Sequence, residues 1–276
     1  MIKEYYKLTR LDMESVDKEN SLVVVPLGSV EQHGNQAPLG TDTMIADETS
    51  ARTMHKLEAL AESDSSCQTG GILFFPTIPV GYSVEHQSFC GSITFRAETY
   101  YNVLYDICAG LGEHGFKNIV FLICHGGNRA TAEIVSRQIR RDKGINVFLV
   151  ATGAFGSPRV KATITPGNEK DFHGGEMETA MIMAIDESLV NLETAEAGHH
   201  AYSRPGGRLS FGGSVALPWM GEDFITDGGK PIGIGGDPSG ATAEKGEIIL
   251  DESAKEAAEA IVEIKRLIAE NDKAFR

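Results

Sequence analysis

The stretch 118-NIVFLICHGGN-128 decides the fold, because it joins an uninterrupted apolar run to a glycine-rich turn. Its apolar residues do not alternate with polar ones, as expected of a strand that is covered on both faces. Such strands belong to parallel sheets that are flanked by helices. The segment 125–128 is therefore predicted to lie at the carboxyl end of a buried parallel strand, where ligands bind in open α/β sheets.

Apolar runs and helical patterns alternate on both sides of this stretch. We predict strands at 22–27, 72–80, 118–124 and 145–152, separated by helices at 43–62, 98–115 and 129–142. This order favours a parallel sheet with helices on both faces. Later segments predict a buried helix at 176–186, glycine-rich loops at 197–240 and an amphipathic helix at 251–272. Because we find no repeat and no linker, we expect residues 1–276 to form a single three-layer α/β/α domain with a mostly parallel sheet.

Composition restricts the possible functions. The chain has 276 residues, of which 41% are hydrophobic and 23% charged, and its formal net charge is −14. This charge argues against a nucleic-acid partner. No apolar run reaches the roughly 18–20 residues that span a bilayer, and the first residues lack a signal-peptide core. We therefore expect a cytoplasmic protein with no membrane partner. The four cysteines form no CxxC pair, which argues against a disulfide framework and a thiolate zinc site.

Three segments place histidines and carboxylates beside glycines: 28-GSVEQHGNQAPLGTD-42, 125-HGGN-128 and 173-HGGEMET-179. The first two follow predicted strands of one parallel sheet, so we expect them at the same edge. Two histidines and three carboxylates form a nitrogen and oxygen ligand set that suits zinc or manganese. A carboxylate such as Asp42 can bridge two ions in a hydrolytic centre.

Each segment alone also has an ordinary structural interpretation. The run 31-EQH-33 fits a surface loop, His125 fits a strand-end histidine bonded to a carbonyl, and acids at 176–178 fit the first turn of a helix. The co-occurrence of all three favours a metal site. Other site classes are disfavoured, because 233-GIGGDPSG-240 misses the GxGxxG spacing and no GxSxG or P-loop lysine motif occurs.

Taken together, these segments are similar to the creatininase (creatinine amidohydrolase) family. The resemblance is carried by 25-VPLGSVEQHGNQAPLGTD-42, 125-HGGN-128, 173-HGGEMETAM-181 and 240-GATAEKGEIIL-250. It implies a single α/β domain with a parallel sheet, two divalent ions per subunit (zinc and/or manganese), and a homo-oligomer that is usually a hexamer.

The resemblance also implies roles for individual residues. Glu31, Asp42 and His125 would bind one ion, and His33, Asp42 and Glu178 would bind the other, so that Asp42 bridges them. His173 would be the catalytic histidine. The segment 85-EH-86 matches the wider family, and we expect contacts to the substrate from Glu85, His86, Gly127 and Asn128.

The chain departs from creatininase itself at several positions. Creatininase has a glutamate where this chain has Gly127, a tryptophan where it has Glu169, and a proline where it has Cys90. The 125-HGGN-128 form is typical of the wider family, which includes a formamide hydrolase, a mycofactocin-precursor peptidase and a ring-opening hydrolase of keto-inositols. We therefore do not expect creatinine to be the substrate.

The sequence thus predicts a metal-dependent hydrolase of a small polar molecule. A water between the ions would attack a cyclic amide or another non-peptide C–N bond, and His173 would protonate the leaving group. Glu176 is expected to act as a second acid or base, or only as a helix-start acid. One alternative is hydrolytic opening of a keto-sugar or keto-inositol ring at a C–C bond, and another is a non-catalytic small-molecule binder. The loops at 82–92 and 202–232 should separate these possibilities, because they shape the pocket.

Overall fold

A five-stranded parallel sheet forms the centre of the molecule. The computed structural model describes residues 1–62, 70–168, 171–202, 208, 215 and 218–270. The strands are β1 (Ile2–Glu4), β2 (Leu22–Leu27), β3 (Ile72–Phe74), β4 (Asn118–Ile123) and β5 (Asn146–Ala151), arranged in the order β1-β3-β2-β4-β5. Every pair of neighbouring strands is parallel. The predicted parallel sheet is confirmed.

Helices cover both faces of this sheet, as predicted. They are α1 (Arg10–Ser15), α2 (Thr41–Ala61), α3 (Ala97–Glu113), α4 (Asn128–Lys143), α5 (Pro158–Thr163), α6 (Glu176–Asp186) and α7 (Ala243–Glu270). The core between the sheet and helices α3 and α4 is separate from the core between the sheet and helices α2 and α7. The result is the three-layer α/β/α arrangement.

Strand β2 shows why its sequence is apolar throughout. All six of its residues are buried. Val23, Val25 and Leu27 pack in the core with α3 and α4, whereas Leu22 and Val24 pack on the opposite face with α2 and α7. Because successive side chains of a strand point to opposite faces, a strand covered on both sides needs apolar residues at every position.

Helices α6 and α7 cross in close contact at a glycine. A Cβ atom placed on Gly246 would lie 1.9 Å from the backbone oxygen of Ala180. Only glycine lets the two backbones approach this closely. The crossing fixes the first turn of α6 against the long C-terminal helix.

Several element boundaries differ from the sequence prediction. β3 ends at Phe74 rather than at residue 80, because Pro76 and Pro79 cannot donate to a ladder. Helix α7 begins at Ala243 rather than at residue 251. β1 and the antiparallel pair β6 (His199–His200) and β7 (Phe224–Ile225) were not predicted, because two or three residues are too few to show a periodic pattern.

Some predicted features fall outside the described residues. They are Glu169, the last residues of the predicted C-terminal helix, and parts of the predicted loops at 197–240, namely 203–207, 209–214 and 216–217. Within the described ranges, no helix combines the length and the apolar character that crossing a bilayer requires.

Candidate metal centre

The carboxyl ends of β2 and β4 bring the candidate ligands together. The two strands are neighbours in parallel register, with Leu27 opposite Ile123. The loop after β2 carries Glu31 and His33, and His125 follows β4 by two residues. The same edge is therefore reached by residues that lie almost a hundred positions apart in the chain, as the sequence predicts.

Helix starts supply the remaining carboxylates. Asp42 lies in the first turn of α2, and Glu178 lies in the first turn of α6. The helix dipole favours a negative charge at both positions. Gly174 has a φ of 64° and turns the chain so that its backbone N–H donates to Glu178 Oε2 over 2.6 Å. This bond holds the Glu178 carboxylate over the end of the sheet.

Asp42 faces two imidazoles, one with each carboxylate oxygen. Its Oδ1 lies 3.6 Å from His33 Nε2, and its Oδ2 lies 3.4 Å from His125 Nδ1. Glu31 Oε1 lies 3.2 Å from the same His125 nitrogen, and Glu178 Oε2 lies 3.6 Å from the same His33 nitrogen. The side chains thus form two clusters that share Asp42.

Each cluster offers three potential ligand atoms that lie within 4.8 Å of one another. One consists of Glu31, Asp42 and His125, and the other of His33, Asp42 and Glu178. A third group with the same spacing combines Glu31 and His33 with His173. The first two groups coincide with the ligand sets implied by the family resemblance.

Buried atoms without hydrogen-bond partners show that this cluster fits a cation. Within the described part of the chain, Glu31 Oε1, His33 Nε2 and Asp42 Oδ2 are buried and have no such partner. An unsatisfied buried polar group costs about 1–3 kcal/mol, and a charged one costs more. A divalent cation would satisfy all three atoms at once, and this mixture of imidazole and carboxylate donors suits zinc or manganese.

Neighbouring groups orient the imidazoles for that role. His33 Nδ1 lies 3.1 Å from the backbone oxygen of Glu31, and His125 Nε2 lies 3.0 Å from the backbone oxygen of Tyr82. A proton on each of these nitrogens leaves the other ring nitrogen, which faces the carboxylates, free to bind a metal. The Ser29 hydroxyl donates to Glu31 Oε2 over 2.9 Å and fixes the second oxygen of that carboxylate.

A pair of stacked imidazoles lies against the two clusters. The rings of His86 and His173 are 4.1 Å apart and inclined by 20°. His173 Nε2 lies 2.9 Å from the backbone oxygen of Gln32, and its Nδ1 lies 3.7 Å from Glu31 Oε1. His86 Nε2 lies 3.5 Å from the same Glu31 oxygen. Both rings therefore present one nitrogen to the candidate metal centre.

Gln32 sets the protonation of His86. Its Oε1 accepts a hydrogen bond from the backbone N–H of Gly34, so the amide nitrogen faces the other way. That nitrogen donates to the backbone oxygen of Gly233 over 2.6 Å and to His86 Nδ1 over 2.9 Å. An imidazole that accepts at Nδ1 carries its proton on Nε2 when neutral. His86 is thus a hydrogen-bond donor directed at the centre.

Burial and neighbouring charges divide the histidines into two types. Burial lowers the pKa of His86 to about 2, and burial together with the His33 charge lowers the pKa of His173 to about 4. For His33, burial alone would lower the pKa, but Asp42 and Glu178 outweigh it and raise the pKa to about 10. The pKa of His125 is also raised, because Glu31 outweighs burial. The two imidazoles with raised pKa values are those implied as ligands, and a metal ion would replace their extra protons.

The carboxylates of the centre respond to the same crowding. Burial and the nearby Glu31 raise the pKa of Asp42 to about 6. Burial would likewise raise the pKa of Glu31, but the His125 imidazole reverses this effect and holds the value well below the usual range.

The residues expected to contact the substrate take different positions. Glu85 Oε1 lies 3.5 Å from His125 Nε2, and a Cβ atom on Gly127 would lie 2.4 Å from that same oxygen. Glu85 therefore fills the space beside Gly127. Asn128 joins two loops, because its Oδ1 accepts from the Tyr82 N–H and its Nδ2 donates to the Gly28 oxygen.

Glu176 is directed into a separate network. Its carboxylate accepts hydrogen bonds from Thr165 and from Asn168 Nδ2, and it pairs with Lys245 Nζ at 2.5 Å. Both of its oxygens are occupied in this way, and its side chain is fully buried. The structure thus brings the other predicted catalytic residue, His173, to the centre and holds Glu176 between the 165–168 loop and α7.

Sequence reasoning missed three residues around the site. Gln32 would point away from Glu31 and His33 in an extended strand, yet it reaches both stacked imidazoles because the backbone turns at this loop. Lys245 is separated by 69 positions from its partner Glu176. Asp171, whose Oδ2 accepts from the Met177 N–H over 2.7 Å, resembles an ordinary loop acid in the sequence.

Fold and site define the class of the protein as an α/β protein with a candidate metal centre at the carboxyl edge of a parallel sheet. The family model of creatininase, described as creatinine amidohydrolase, matches residues 6–261. The chain therefore belongs to the creatininase family of hydrolases.

Among curated proteins, the chain is similar to a mycofactocin precursor peptide peptidase of Mycobacterium ulcerans (strain Agy99). The two are 31% identical over 231 residues, which cover 83% of this chain and 80% of that protein. It is also 22% identical over 253 residues to a 3-dehydro-scyllo-inosose hydrolase of Thermotoga maritima, covering 89% of this chain and 76% of that protein.

Solved structures of creatininases share the fold. A manganese form superposes with a TM-score of 0.71 at 21% identity, covering 94% of this chain and 97% of that one. A Zn–Zn form of a mutant creatininase gives the same TM-score and identity, covering 94% of this chain and 96% of that one.

Proposed function

We propose that this protein is a hydrolase that uses two divalent cations, zinc and/or manganese, to cleave a cyclic amide or another non-peptide C–N bond of a small polar substrate. The observation that carries the proposal is the set of buried, unpartnered atoms Glu31 Oε1, His33 Nε2 and Asp42 Oδ2, which converge on one place. The cations would be held by Glu31, Asp42 and His125 and by His33, Asp42 and Glu178. We also propose a cytoplasmic location, as expected from the sequence, and a hexameric assembly, which rests on the family resemblance alone.

The protein's own residues would handle the substrate and its protons. Cations at such a site act as Lewis acids and lower the pKa of water. His173, whose Nδ1 faces the centre, would take up a proton from the attacking water and pass it to the leaving nitrogen. His86 would donate its Nε2 proton to the carbonyl oxygen as negative charge develops there, a contribution worth about 10²–10³ in turnover for comparable donors. Gln32 would keep both imidazoles oriented.

Exclusion of water would strengthen these interactions. Glu31, His33 and His86 are completely buried, and Trp219 covers the His86 ring with a centroid distance of 5.4 Å. Phe172 and Phe224 pack on the same indole at 5.4 Å and 5.3 Å. Electrostatic interactions gain strength in such a low-dielectric environment.

A peptide bond is a second candidate for the scissile bond. The similarity to the mycofactocin precursor peptide peptidase favours it, and the same side chains would serve, because the reacting group is again an amide. The difference would lie in the length of substrate that the loops around residues 82–92 admit.

Ring opening of a keto-inositol is the remaining enzymatic alternative. The similarity to the 3-dehydro-scyllo-inosose hydrolase favours it. A ketone also presents a carbonyl to the same donors. A screen of the metal-loaded protein against creatinine, other cyclic ureides, formamides, short peptides and keto-inositols separates these candidates, and no turnover of any of them would favour a non-catalytic binder.

The division of roles is tested by two substitutions. Asp42→Ala removes the carboxylate shared by both clusters, so we expect it to lose most of the bound metal. His173→Ala should keep the metal and lose turnover. Metal content is measured by mass spectrometry after dialysis, with Asp47→Ala, a change on the same helix at a side chain bonded to Thr77, as the control.

Equal metal loss in the two variants would contradict this assignment. It would place His173 among the ligands, as the third group of Glu31, His33 and His173 permits. Full metal retention by Asp42→Ala would contradict the shared role of Asp42.

A further inference from the structure

A cavity of about 210 Å³ lies beside the candidate metal centre. It is bounded by the carboxyl ends of β4 and β5, by the segment that follows β5 and by the first turns of α6. Glu178 lines this cavity, and its Oε2 lies 3.6 Å from His33 Nε2. Cys124 and Gly126, on either side of His125, line it too. A molecule in the cavity would therefore adjoin the centre.

The inner wall of the cavity is apolar. Ile45, Ile123, Met177 and Met181 line it, and each is at most 6% exposed. Phe155 also lines it and is 58% exposed. Burial of an apolar ligand group against this wall would stabilise the complex by about 25 cal/mol per Å² of apolar surface removed from water.

A cation stands beside this apolar wall. Arg129, in the first turn of α4, is the one basic side chain among the described residues that line the cavity. Its Nε donates to Glu133 Oε1 over 3.3 Å, and its two terminal amino groups have no partner in the described part of the chain.

The two carboxylates that also line the cavity are already engaged. Asp171 accepts from the Met177 N–H, and Glu178 accepts from the Gly174 N–H and faces His33. Neither forms an ion pair with Arg129 within the described residues. The terminal amino groups of Arg129 thus remain available for an anion that enters with a ligand, and arginine binds carboxylates through two parallel hydrogen bonds.

We propose that the substrate carries a carboxylate, which binds Arg129, and an apolar group of roughly the size of a leucine side chain, which fills the cavity. This inference rests on the proposed amide hydrolysis and specifies its substrate class. Water would add to the amide carbonyl and the C–N bond would break, giving a carboxylic acid group and an amine group. These groups stay in one molecule when the amide is cyclic, and the Arg129-bound carboxylate is unchanged by the reaction. No oxidant or further reactant is needed.

Binding of 4-methylpentanoate to the metal-loaded protein tests the proposal by calorimetry. The uncharged 4-methylpentan-1-ol is the reference ligand, and the wild-type protein should bind it more weakly. Arg129→Gln should weaken binding of the carboxylate by about tenfold, as expected for a charged hydrogen bond, and should leave binding of the alcohol within about twofold. Arg137→Gln is the matched control, because Arg137 pairs with the same Glu133 and does not line the cavity.

Filling the cavity is the second test. Gly126 lines the cavity, and a Cβ atom there would meet no atom within 4 Å, so we use Gly126→Leu to add a bulky side chain at the cavity wall. We expect it to abolish binding of both ligands at unchanged metal content. Gly110→Leu, at another uncrowded glycine on α3, should bind both ligands as the wild type does.

Two outcomes would overturn the inference. One is equal affinity for 4-methylpentanoate in the wild type and Arg129→Gln, which would place the carboxylate on the metal ions. The other is undiminished binding in Gly126→Leu. Because binding is measured without turnover, a protein that binds as expected and hydrolyses no amide would contradict the proposed function only.

Discussion

At the scale of single residues, Asp42 organises the candidate centre. Its two oxygens face His33 and His125, which belong to different segments of the chain. Burial and the neighbouring Glu31 raise its pKa. Repulsion from the Glu31 charge therefore disfavours the ionised form of Asp42 when no cation is bound. Cations bound on both sides of Asp42 would relieve that repulsion.

Glu176 and Glu178 illustrate how two acids in one helical turn can differ. Glu178 faces His33, whereas Glu176 binds Lys245, Thr165 and Asn168. We therefore expect Glu176→Gln to retain turnover within about tenfold of the wild type. The amide keeps part of the hydrogen bonding but loses the charge pair, so unfolding should become easier by about 1–3 kcal/mol. Urea unfolding and kcat measure the two effects.

Lys245→Met provides the complementary variant. It leaves the Glu176 carboxylate buried without its cation, and it should destabilise the fold by more than Glu176→Gln does. A loss of a thousandfold in kcat for Glu176→Gln at wild-type stability would instead identify Glu176 as an acid or base in the reaction.

At the scale of elements, the crossing of α6 and α7 keeps the site in place. Gly246→Ala would press a methyl group against the Ala180 backbone, from which it would be 1.9 Å away. Because neither helix backbone can move away without disturbing its packing, we expect the free energy of unfolding to fall by about 1–3 kcal/mol. Chemical denaturation measures the change.

Gly110→Ala on α3 is the control for this prediction. A Cβ atom there meets nothing within 4 Å, so alanine should stabilise the helix by up to about 1 kcal/mol. We therefore predict that Gly246→Ala lowers the free energy of unfolding and that Gly110→Ala raises it. A Gly246→Ala protein as stable as the wild type would contradict the close crossing of α6 and α7.

The elements also show what the sequence could reveal. β2 and β4 were predicted because strands buried on both faces carry uninterrupted apolar runs. β1, β6 and β7 are too short for any periodicity. The early start of α7 was missed, because 243–250 contains a glycine that is poor in helices and that is present here for the contact with α6.

At the scale of the whole molecule, the candidate ligands come from four parts of the fold. Glu31 and His33 follow β2, Asp42 begins α2, His125 follows β4, and Glu178 begins α6. Cations held by all of them would bind the folded chain and not the unfolded one. Such binding stabilises the folded state by about 4 kcal/mol when the free ion concentration is a thousand times the Kd.

Chelation should therefore lower the melting temperature. For a protein of this size we expect a shift of about 10 °C. Scanning calorimetry with and without a chelator measures it, and Asp42→Ala should show almost no shift. A wild-type protein whose melting temperature is unchanged after verified metal removal would contradict the four-element centre.

The sequence could predict the positions of candidate-site loops where those loops directly follow strands. The loops after β2 and β4 were expected at one edge because parallel strands end together, and the structure confirms that they meet. The pairing of ligands came from family resemblance. The link between Gln32 and His86, and that between Glu176 and Lys245, depend on the tertiary arrangement of segments 54 and 69 positions apart, for which no local pattern exists.

The cavity shares the end of β4 and the first turns of α2 and α6 with the candidate ligands, but one of its walls comes from elsewhere in the chain. The cavity takes one wall from β5 and residues 151–155, a segment that contributes no candidate ligand. Mutations can accumulate there during evolution while selection preserves the cation-holding side chains. This separation offers a route by which a single ancestral scaffold diversifies into enzymes with unrelated substrates.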